Sequence, residues 1–400
     1  MRIAYFSDAY HPRVSGQVHS IDEFGSALAE RGHEICVVCP AYPPGRMEGH
    51  EDRFRTIRVP SGSALVSGED RLALPWHSWF VLRQVDDFDP QVVHIHTEFS
   101  IGAMGRRYCR SRGLPVLSTC HTHYAMYMEG YLPFLSKRVG REVARAWLRS
   151  IYAKDDVIIT PSRSIRDEMM GNGIRREFHV VPTGVDNRIF RPRPVEAAEF
   201  RKELALARPG FGGSHLLLYV GRIGKEKNID LLIGALPKVF AHDPSVRLLV
   251  VGEGPYREEV RRLVDAQDWA GKVAWMDYQP RSRLPAIYSA ADLFVFPSKT
   301  ETQGLVTVEA LLCGTPVVGV DEMGTGEILA GGVGGYLAKD DPEDFASGIL
   351  GLLEDPALRR AKAEEGLVHA RQWSIAALAA RLESIYLRMF NVNLGSDPDS

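Results

Sequence analysis

Two glutamates eight residues apart, Glu301 and Glu309, stand in the segment with the strongest chemical signal of the chain. An ionised carboxylate only accepts hydrogen bonds, which suits the paired hydroxyls of a ribose or hexose. Glu309 falls inside a predicted helix of apolar and small residues, where a buried carboxylate needs a polar partner. The start of that helix offers unhindered backbone N–H groups, those of Gly304, Leu305 and Val306.

A glycine-containing loop, residues 221–228, follows a predicted strand and precedes a predicted helix. A helix start presents free N–H groups to an anion, and Arg222 and Lys227 add two full charges, enough to hold a diphosphate. The loop is not a dinucleotide fingerprint, because Ile223 replaces the second glycine, and no Gly-Lys-Ser/Thr follows. A flexible turn with solvated basic residues is the alternative. A second glycine turn begins at Gly252, where a ligand can approach the backbone or the chain simply turns.

Histidines occur in two pairs with a spacing of two, His94 with His96 and His121 with His123, near the ends of predicted strands. Residues two apart in a strand point to the same side, so each pair shares one face. If neighbouring strands bring the pairs together, they form a possible zinc site. The alternative is that His121 contacts a substrate.

Short apolar strand candidates alternate with helical stretches along the chain, which predicts parallel sheets covered on both faces. The pattern restarts after a polar, proline-bearing segment at 186–194. We therefore expect an α/β protein of two doubly wound, Rossmann-like domains, 1–187 and 195–370, with a C-terminal helix at 375–390 that packs back on the first domain. Such sheets bind ligands outside the carboxyl ends of their strands, so two facing domains would share one interdomain cleft. The strand candidates are 2–7, 35–38, 92–96, 116–120, 156–160 and 179–181, then 215–220, 247–251, 273–275, 293–296 and 316–320.

The 400 residues, 45% hydrophobic and 25% charged, have the composition of globular domains. The net charge of −3 argues against nucleic-acid binding. No apolar run approaches the ~18 residues that span a bilayer, and the N-terminus has no secretory signal, which predicts a cytoplasmic location. Cys36 and Cys39 lie three apart in a predicted strand and so point to opposite faces, which disfavours a disulfide or a shared metal.

The glutamate segment, followed by Cys313-Gly314-Thr315-Pro316, resembles the signature of glycosyltransferase family four, whose members are retaining enzymes with the two-domain GT-B fold. Further segments match in order along nearly the whole chain: Ser15-Gly16, Pro182-Thr183-Gly184-Val185-Asp186, Gly221-Arg222 with Glu226-Lys227-Asn228, and Gly252-Glu253-Gly254-Pro255. The resemblance implies the following roles. Arg222, Lys227 and the Gly16 backbone bind the donor diphosphate, Glu309 holds the ribose, Glu301 holds the donor sugar, and His121 lies beside the transferred sugar.

The acceptor side is expected in the first domain. An aromatic segment with Tyr124 and Tyr127 precedes a helix whose basic residues lie three and four apart and so share one face. A basic amphipathic helix is typical of a contact with an anionic membrane surface, although most charge runs are only solvated faces. The segment resembles the lipid-facing region of bacterial diacylglycerol glucosyltransferases. Trp76, Trp79 and Phe80 form a second possible anchor or belong to the core. The basic residues of the face are Arg138, Arg141, Arg145 and Arg149.

These observations predict a peripheral enzyme of the inner membrane face that moves a hexose with retention, glucose from UDP-glucose, onto a lipid such as diacylglycerol. The alternatives are a transferase using GDP-mannose or another donor, acting on phosphatidylinositol or a soluble acceptor, and a non-catalytic nucleotide-sugar sensor. We expect no required cofactor, no metal site and no Mg²⁺ requirement. The base, the sugar epimer, the acceptor and the oligomeric state are not determined by the sequence.

Overall fold

The computed structural model describes residues 1–13, 15–47, 51–63, 71–73, 78–121, 137–267, 269, 271–301 and 303–393. The chain divides into two compact units. Unit 1 comprises Met1–Gly184 and Ile375–Ser400, and unit 2 comprises Val185–Ser374. The division falls at Gly184, just before the proline-bearing segment. A side chain at Gly184 would overlap the backbone of Ile375, 2.4 Å from its added Cβ, so glycine is required where the chain re-enters unit 1.

Unit 1 contains a seven-stranded parallel sheet of order β3-β2-β1-β6-β7-β8-β9. A separate two-stranded antiparallel sheet pairs β4 with β5. The strands are β1 Arg2–Phe6, β2 Glu34–Pro40, β3 Arg55–Val59, β4 Ser61–Ser63, β5 Arg71–Ala73, β6 Val92–Ile95, β7 Leu117–Thr119, β8 Val157–Thr160 and β9 Glu177–Val180.

Helices of unit 1 cover both faces of the large sheet. Alternating residues of β2 show this, because Cys39 joins the core cluster under the first and last helices and Cys36 joins the cluster on the other face. Both thiols are free and buried, as their spacing predicts. The helices are α1 Gly16–Glu30, α2 Pro44–Met47, α3 Ser78–Phe88, α4 Ser100–Arg112, α5 Lys137–Tyr152 and α6 Arg163–Gly171, and the last helix of the chain, Ile375–Asn393, packs here against α1.

Unit 2 contains a six-stranded parallel sheet of order β12-β11-β10-β13-β14-β15. Its strands are β10 Leu216–Val220, β11 Arg247–Val251, β12 Val273–Met276, β13 Leu293–Phe296, β14 Val317–Val320 and β15 Gly335–Ala338. Its helices are α7 Pro194–Ala207, α8 Ile229–His242, α9 Arg257–Asp265, α10 Leu284–Ala290, α11 Leu305–Leu312, α12 Met323–Ile328, α13 Pro342–Glu354 and α14 Pro356–Ala370, and the C-terminal helix becomes α15.

Both sheets have the strand order of doubly wound domains, which confirms the predicted α/β class. The sequence pattern missed the edge strands β3 and β15, because edge strands are only partly buried and carry polar or small residues. The strand order reverses between β1 and β6 in unit 1, and between β10 and β13 in unit 2, and each of these positions is the switch point of its sheet. Loops that follow these four strands therefore border the positions where such sheets bind ligands. Within the described residues, no helix is both long and apolar enough to cross a membrane.

Candidate functional site

The switch point of unit 2 brings together two residues that lie 74 positions apart in the chain. Lys227, from the loop after β10, donates a hydrogen bond through Nζ to Oε1 of Glu301, from the loop after β13. Both side chains are only about one fifth exposed, 19% and 21%. The loops are also joined where Oγ1 of Thr300 donates to the carbonyl of Glu226 at 3.1 Å. The predicted diphosphate-binding lysine and the predicted sugar-binding glutamate thus form one ion pair.

Arg222 holds a second, more exposed ion pair in the same loop. Its Nη2 lies 2.6 Å from Oε1 of Glu226, and the side chains are 62% and 40% exposed. A backbone hydrogen bond and Arg222 lower the pKa of the Glu226 carboxyl. The Glu226 carboxylate folds over Gly224, where an added Cβ would lie 2.3 Å from Oε1. Both predicted diphosphate cations are therefore paired with carboxylates of the same unit.

Glycines after β11 let two loops of unit 2 approach each other. Gly252 has φ +139°, and a Cβ there would lie 2.0 Å from the carbonyl oxygen of Gly221. Gly254 has φ +157°, with the Ile223 carbonyl oxygen 2.2 Å from an added Cβ. Packing between the loops therefore accounts for both glycines. It also places Gly252 directly beside the loop of Arg222.

Helix α11 begins immediately after Gly304, whose φ of +62° is in the left-handed region that favours glycine. Leu305 and Val306 occupy the first turn and are half-buried. The loop before α11 is held by a hydrogen bond, because the Glu301 carbonyl accepts from the Gly324 backbone N–H at 2.8 Å. The start of α11 therefore stands next to the Lys227–Glu301 pair.

Glu309 is buried on α11 and has the partner that its position requires. Its Oε2 accepts a hydrogen bond from the Tyr288 hydroxyl at 3.0 Å. Burial raises the pKa of the Glu309 carboxyl to about 7, against the opposing effects of Arg281 and Tyr288. The carboxyl is therefore poised to change charge near neutral pH.

In unit 1, His121 is part of a cluster of three imidazole rings. His94 lies in β6, His96 follows that strand, and His121 follows the neighbouring strand β7. Nδ1 of His96 lies 3.0 Å from Nε2 of His121. Burial is the main cause that lowers the pKa of all three imidazoles, that of His121 to about 4. The rings line a cavity of about 10 Å³, room for one water molecule, together with Thr119 and Thr183.

The zinc alternative for these histidines has no support in the described part of the chain. There, no group of three or more His, Cys, Asp or Glu side chains is arranged to hold a metal ion. His123, the fourth histidine of the two pairs, lies outside the described residues.

A buried polar network beside the histidines was not anticipated from the sequence. Arg106 of α4 makes a bidentate ion pair with Asp155, in which Nε and Nη2 donate to the two carboxylate oxygens at 2.8 and 2.7 Å. Its Nη1 also donates to the Thr97 carbonyl at 3.2 Å. Glu98 accepts a hydrogen bond from the Tyr152 hydroxyl, and burial raises the pKa of its carboxyl to about 7. The network fixes the loop after β6. Its only signal in the sequence was polar residues directly after a buried strand.

Gly16, predicted to touch the diphosphate through its backbone, is the first residue of α1. It is exposed, and an added Cβ would meet nothing within 4 Å. Ser15 caps the helix by accepting a hydrogen bond from the Val18 backbone at 3.3 Å. The first N–H groups of α1 therefore stand at an open helix start.

The predicted acceptor side lies partly outside the described residues. Tyr124, Tyr127 and Trp76 fall there, and the side chains of Arg138 and Arg141 are likewise not described, although α5 spans both positions. Among the described residues of α5, Arg145 is exposed and paired with Glu142 at 2.6 Å, and Arg149 is exposed.

Two of the three residues of the second predicted membrane anchor, Trp79 and Phe80, lie on the protein surface. On α3, Trp79 and Phe80 are 65% and 63% exposed, so the core alternative for these two residues is wrong. The Arg83 guanidinium lies over the Trp79 ring, 4.2 Å from its centroid. An exposed aromatic pair beside a cation is a feature of surfaces that contact a partner or a membrane.

The chain is similar in sequence to known proteins along most of its length. The profile of Glycosyltransferase Family 4 matches residues 14–188, and that of Glycosyl transferases group 1 matches residues 202–368. The alpha-monoglucosyldiacylglycerol synthase of Streptococcus pneumoniae is 31% identical over 320 residues, 80% of this chain and 70% of the relative. A GDP-mannose-dependent alpha-mannosyltransferase of Mycobacterium tuberculosis is 28% identical over 332 residues, 82% of this chain and 81% of the relative.

Among solved structures, sucrose-phosphate synthase from Thermosynechococcus elongatus has the same fold, with a TM-score of 0.72 at 22% identity. The match covers 98% of this chain and 99% of that chain. The two parallel sheets, the two family profiles and the relative at 31% identity lead to one conclusion. The chain belongs to glycosyltransferase family 4 and is a hexosyltransferase with the GT-B fold.

Proposed function

We propose that the protein transfers glucose from UDP-glucose, with retention, to a lipid hydroxyl such as that of diacylglycerol at the inner face of the cell membrane. The observation that carries the donor half is the Lys227–Glu301 contact at the switch point of unit 2. It joins a cation suited to a diphosphate and a carboxylate suited to sugar hydroxyls, beside the open start of α11. The lipid acceptor is supported by the alpha-monoglucosyldiacylglycerol synthase at 31% identity.

In this proposal the donor displaces the carboxylates that are paired with Arg222 and Lys227. The diphosphate takes Arg222 and Lys227 from their carboxylates and contacts the Gly16 backbone, and Glu301 then binds hydroxyls of the sugar. Glu309, held by Tyr288, binds the ribose, while the backbone at Gly252 and at Gly304, Leu305 and Val306 lines the donor. His121 contacts the transferred sugar. The bond from the anomeric carbon to the diphosphate breaks, the bond to the acceptor oxygen forms on the same face, and the acceptor proton passes to the leaving diphosphate.

No cofactor is required in this proposal. Arg222 and Lys227 supply two positive charges for the two negative charges of the diphosphate, which is the task a divalent cation performs in other transferases. Chelation with EDTA should therefore leave the transfer rate unchanged. A rate that falls on chelation and returns with Mg²⁺ would contradict this part of the proposal.

The direct test is transfer activity with UDP-glucose and GDP-mannose, each with and without diacylglycerol or phosphatidylinositol in anionic vesicles. We expect a glucosylated diacylglycerol with an α linkage from UDP-glucose. The mannosyltransferase at 28% identity favours the alternative donor, and transfer only from GDP-mannose would establish that alternative. Nucleotide-sugar binding without any transfer or hydrolysis would instead indicate a sensor.

Membrane contact through α5 and the aromatic segment with Tyr124 and Tyr127 is the second part of the proposal. Each basic residue near an anionic surface contributes about 1 kcal/mol, so Arg141→Glu with Arg145→Glu should weaken vesicle binding by about 2–4 kcal/mol. Arg208→Glu with Arg262→Glu, two exposed arginines of unit 2, makes the same change in net charge and serves as the control. Sedimentation with anionic vesicles at low and high salt measures the effect, which salt should reduce. Equal sedimentation of both double variants would make α5 a solvated face.

A further inference from the structure

The His96 ring lies between two other imidazoles in unit 1. On one side is His94, with ring centroids 4.1 Å apart, and on the other is His121, with centroids 5.3 Å apart and planes inclined by only 19°. The rings of Tyr5 and His96 form an edge-to-face contact, with centroids 4.8 Å apart. The His96 backbone is also fixed, because its carbonyl accepts a hydrogen bond from Nε2 of Gln17 at 3.1 Å. Neighbours within unit 1 therefore contact both the ring and the backbone of His96.

The two outer rings have different partners. Both nitrogens of His94 are engaged, Nδ1 with the Tyr386 hydroxyl at 2.7 Å and Nε2 with the Thr119 hydroxyl at 2.6 Å. His94 is thereby anchored to β7 and to α15, and its ring packs against that of His96. His121 instead uses Nε2 for His96, so Nδ1 is the ring nitrogen left for another group.

The contact between His96 and His121 restricts where their protons lie. Because burial keeps both imidazoles neutral near pH 7, each ring carries one N–H and one bare nitrogen. The 3.0 Å contact is a hydrogen bond only if one of the facing nitrogens is protonated and the other is not. The tautomer of His121 is therefore set by that of His96.

The remaining nitrogen of His96 indicates which arrangement is present. Nε2 of His96 is buried and has no hydrogen-bond partner among the described residues. A buried N–H left without an acceptor is rarer in proteins than an acceptor left without a donor. The favoured arrangement therefore has the His96 proton on Nδ1, donated to Nε2 of His121.

We propose that His96 is a positioning residue for the transfer reaction: it holds His121 in the Nδ1–H tautomer, so that this N–H donates to a hydroxyl oxygen of the transferred sugar. The proposal rests on the role of His121 given under Proposed function. His96 does not touch the substrate, and its effect passes through the ring of His121.

The first test reads the tautomer directly and requires no activity. The protein is labelled with ¹⁵N-histidine, and long-range ¹H–¹⁵N spectra at pH 7 report which ring nitrogen carries the proton. The His121 signals are identified by their loss in His121→Ala. We expect the Nδ1–H form in the wild type and the Nε2–H form, favoured by free histidine in water, in His96→Ala. An Nε2–H form in the wild type, or no change in His96→Ala, would overturn the proposal.

The second test separates positioning from packing. With the donor that the wild type uses, His96→Ala should lower kcat about tenfold, the contribution of one hydrogen bond, and change the donor KM less than about twofold. His96→Asn places an amide N–H near the position of Nδ1 and should restore most of kcat, whereas His96→Leu should not. His33→Ala removes a histidine of unit 1 that pairs with Glu383, outside the cluster, and is the control. Equal kcat for the Asn and Leu variants contradicts the positioning role. If the wild type transfers no hexose, the proposed function fails, and the spectra still decide whether His96 sets the tautomer of His121.

Discussion

The loops at the two switch points use opposite physical means. In unit 1 the groups in contact with one another at the histidine cluster are neutral rings and hydroxyls, almost all buried, and the ion pair beside them, Arg106–Asp155, is buried as well. In unit 2 the groups around Lys227 are opposite charges that are partly exposed and set on glycine turns. Buried neutral groups are costly to move, because each would leave its partner unsatisfied. Exposed ion pairs exchange cheaply, because water replaces either partner.

The difference matches what each unit has to recognise under the proposed function. A sugar hydroxyl is neutral and must be oriented, which favours a rigid, dehydrated ring of fixed tautomer. A diphosphate is charged and must enter and leave, which favours cations whose resting partners are displaceable. Substitution of the groups proposed to contact the donor should therefore affect rates in unit 1 and affinities in unit 2.

The largest effect is expected for His121→Ala. A hydrogen-bond donor held in place for the reacting sugar contributes about 10²–10³-fold to turnover, whereas the nucleotide is bound by other residues. We expect kcat to fall by that factor while calorimetry shows the same UDP affinity. A His121→Ala variant with normal turnover would contradict the role of unit 1 in the rate of transfer and leave the sensor hypothesis open.

Breaking the buried ion pair in unit 1 should cost stability. Asp155→Asn leaves the buried Arg106 without its counter-charge, a loss of about 3–5 kcal/mol in the free energy of unfolding. The matched change in unit 2 is Glu226→Gln, which breaks the exposed pair with Arg222 and should cost less than about 1 kcal/mol. Urea denaturation of both variants at pH 7 gives the comparison. Similar midpoints for the two would show that the units do not differ in this way.

Glu309 should make unit 2 less stable as the pH rises. Its pKa in the folded protein, about 7, lies above the ordinary value of 4.5, so the folded state holds a proton between these values that the unfolded state has lost. The stabilisation is complete below pH 4.5 and is lost as the pH rises to about 7, a change on the order of 3 kcal/mol.

Glu309→Gln should remove the part of the pH dependence of stability that Glu309 contributes. Calorimetric unfolding between pH 5 and pH 8 measures it, and Glu343→Gln, at an exposed position, is the control. The pH dependence that remains in Glu309→Gln comes from the other shifted groups of unit 1. Glu98, whose pKa is raised, acts in the same direction as Glu309, whereas the three imidazoles, whose pKa values are lowered, act in the opposite direction below about pH 6.5. An unchanged slope in Glu309→Gln would show that its carboxyl stays ionised in the fold.

The smallest of these effects is expected for Lys227→Ala. Loss of one charged hydrogen bond to the diphosphate weakens donor binding by about 1.5–3 kcal/mol, or about 10- to 150-fold, and Arg222→Ala should behave in the same way. Lys238→Ala, which removes a lysine of α8 paired with Glu343, is the control. Unchanged UDP affinity in both Lys227→Ala and Arg222→Ala, measured by calorimetry, would show that these two residues do not bind the donor diphosphate.

The sequence by itself determined the class of fold and the loops to inspect. Apolar strand candidates alternating with helices predicted two parallel sheets, and glycine, histidine and glutamate at strand ends marked the loops at both switch points. These signals are local, since a buried strand and a turn are written in consecutive residues. The edge strands β3 and β15 escaped the prediction because polar or small residues weaken the same signal.

Only the tertiary structure decided which of these residues meet. Lys227 and Glu301 are 74 positions apart, and His94 and Tyr386 are 292 apart, so no local pattern specifies their contacts. His94 and His96 were recognised in the sequence as a pair with possible chemistry, but their use as neutral rings in contact follows from burial and from the adjacent strand β7. Burial and pairing depend on how the sheets and helices pack, and that is the reason the tautomer-setting contact of His96 appears only in the folded chain.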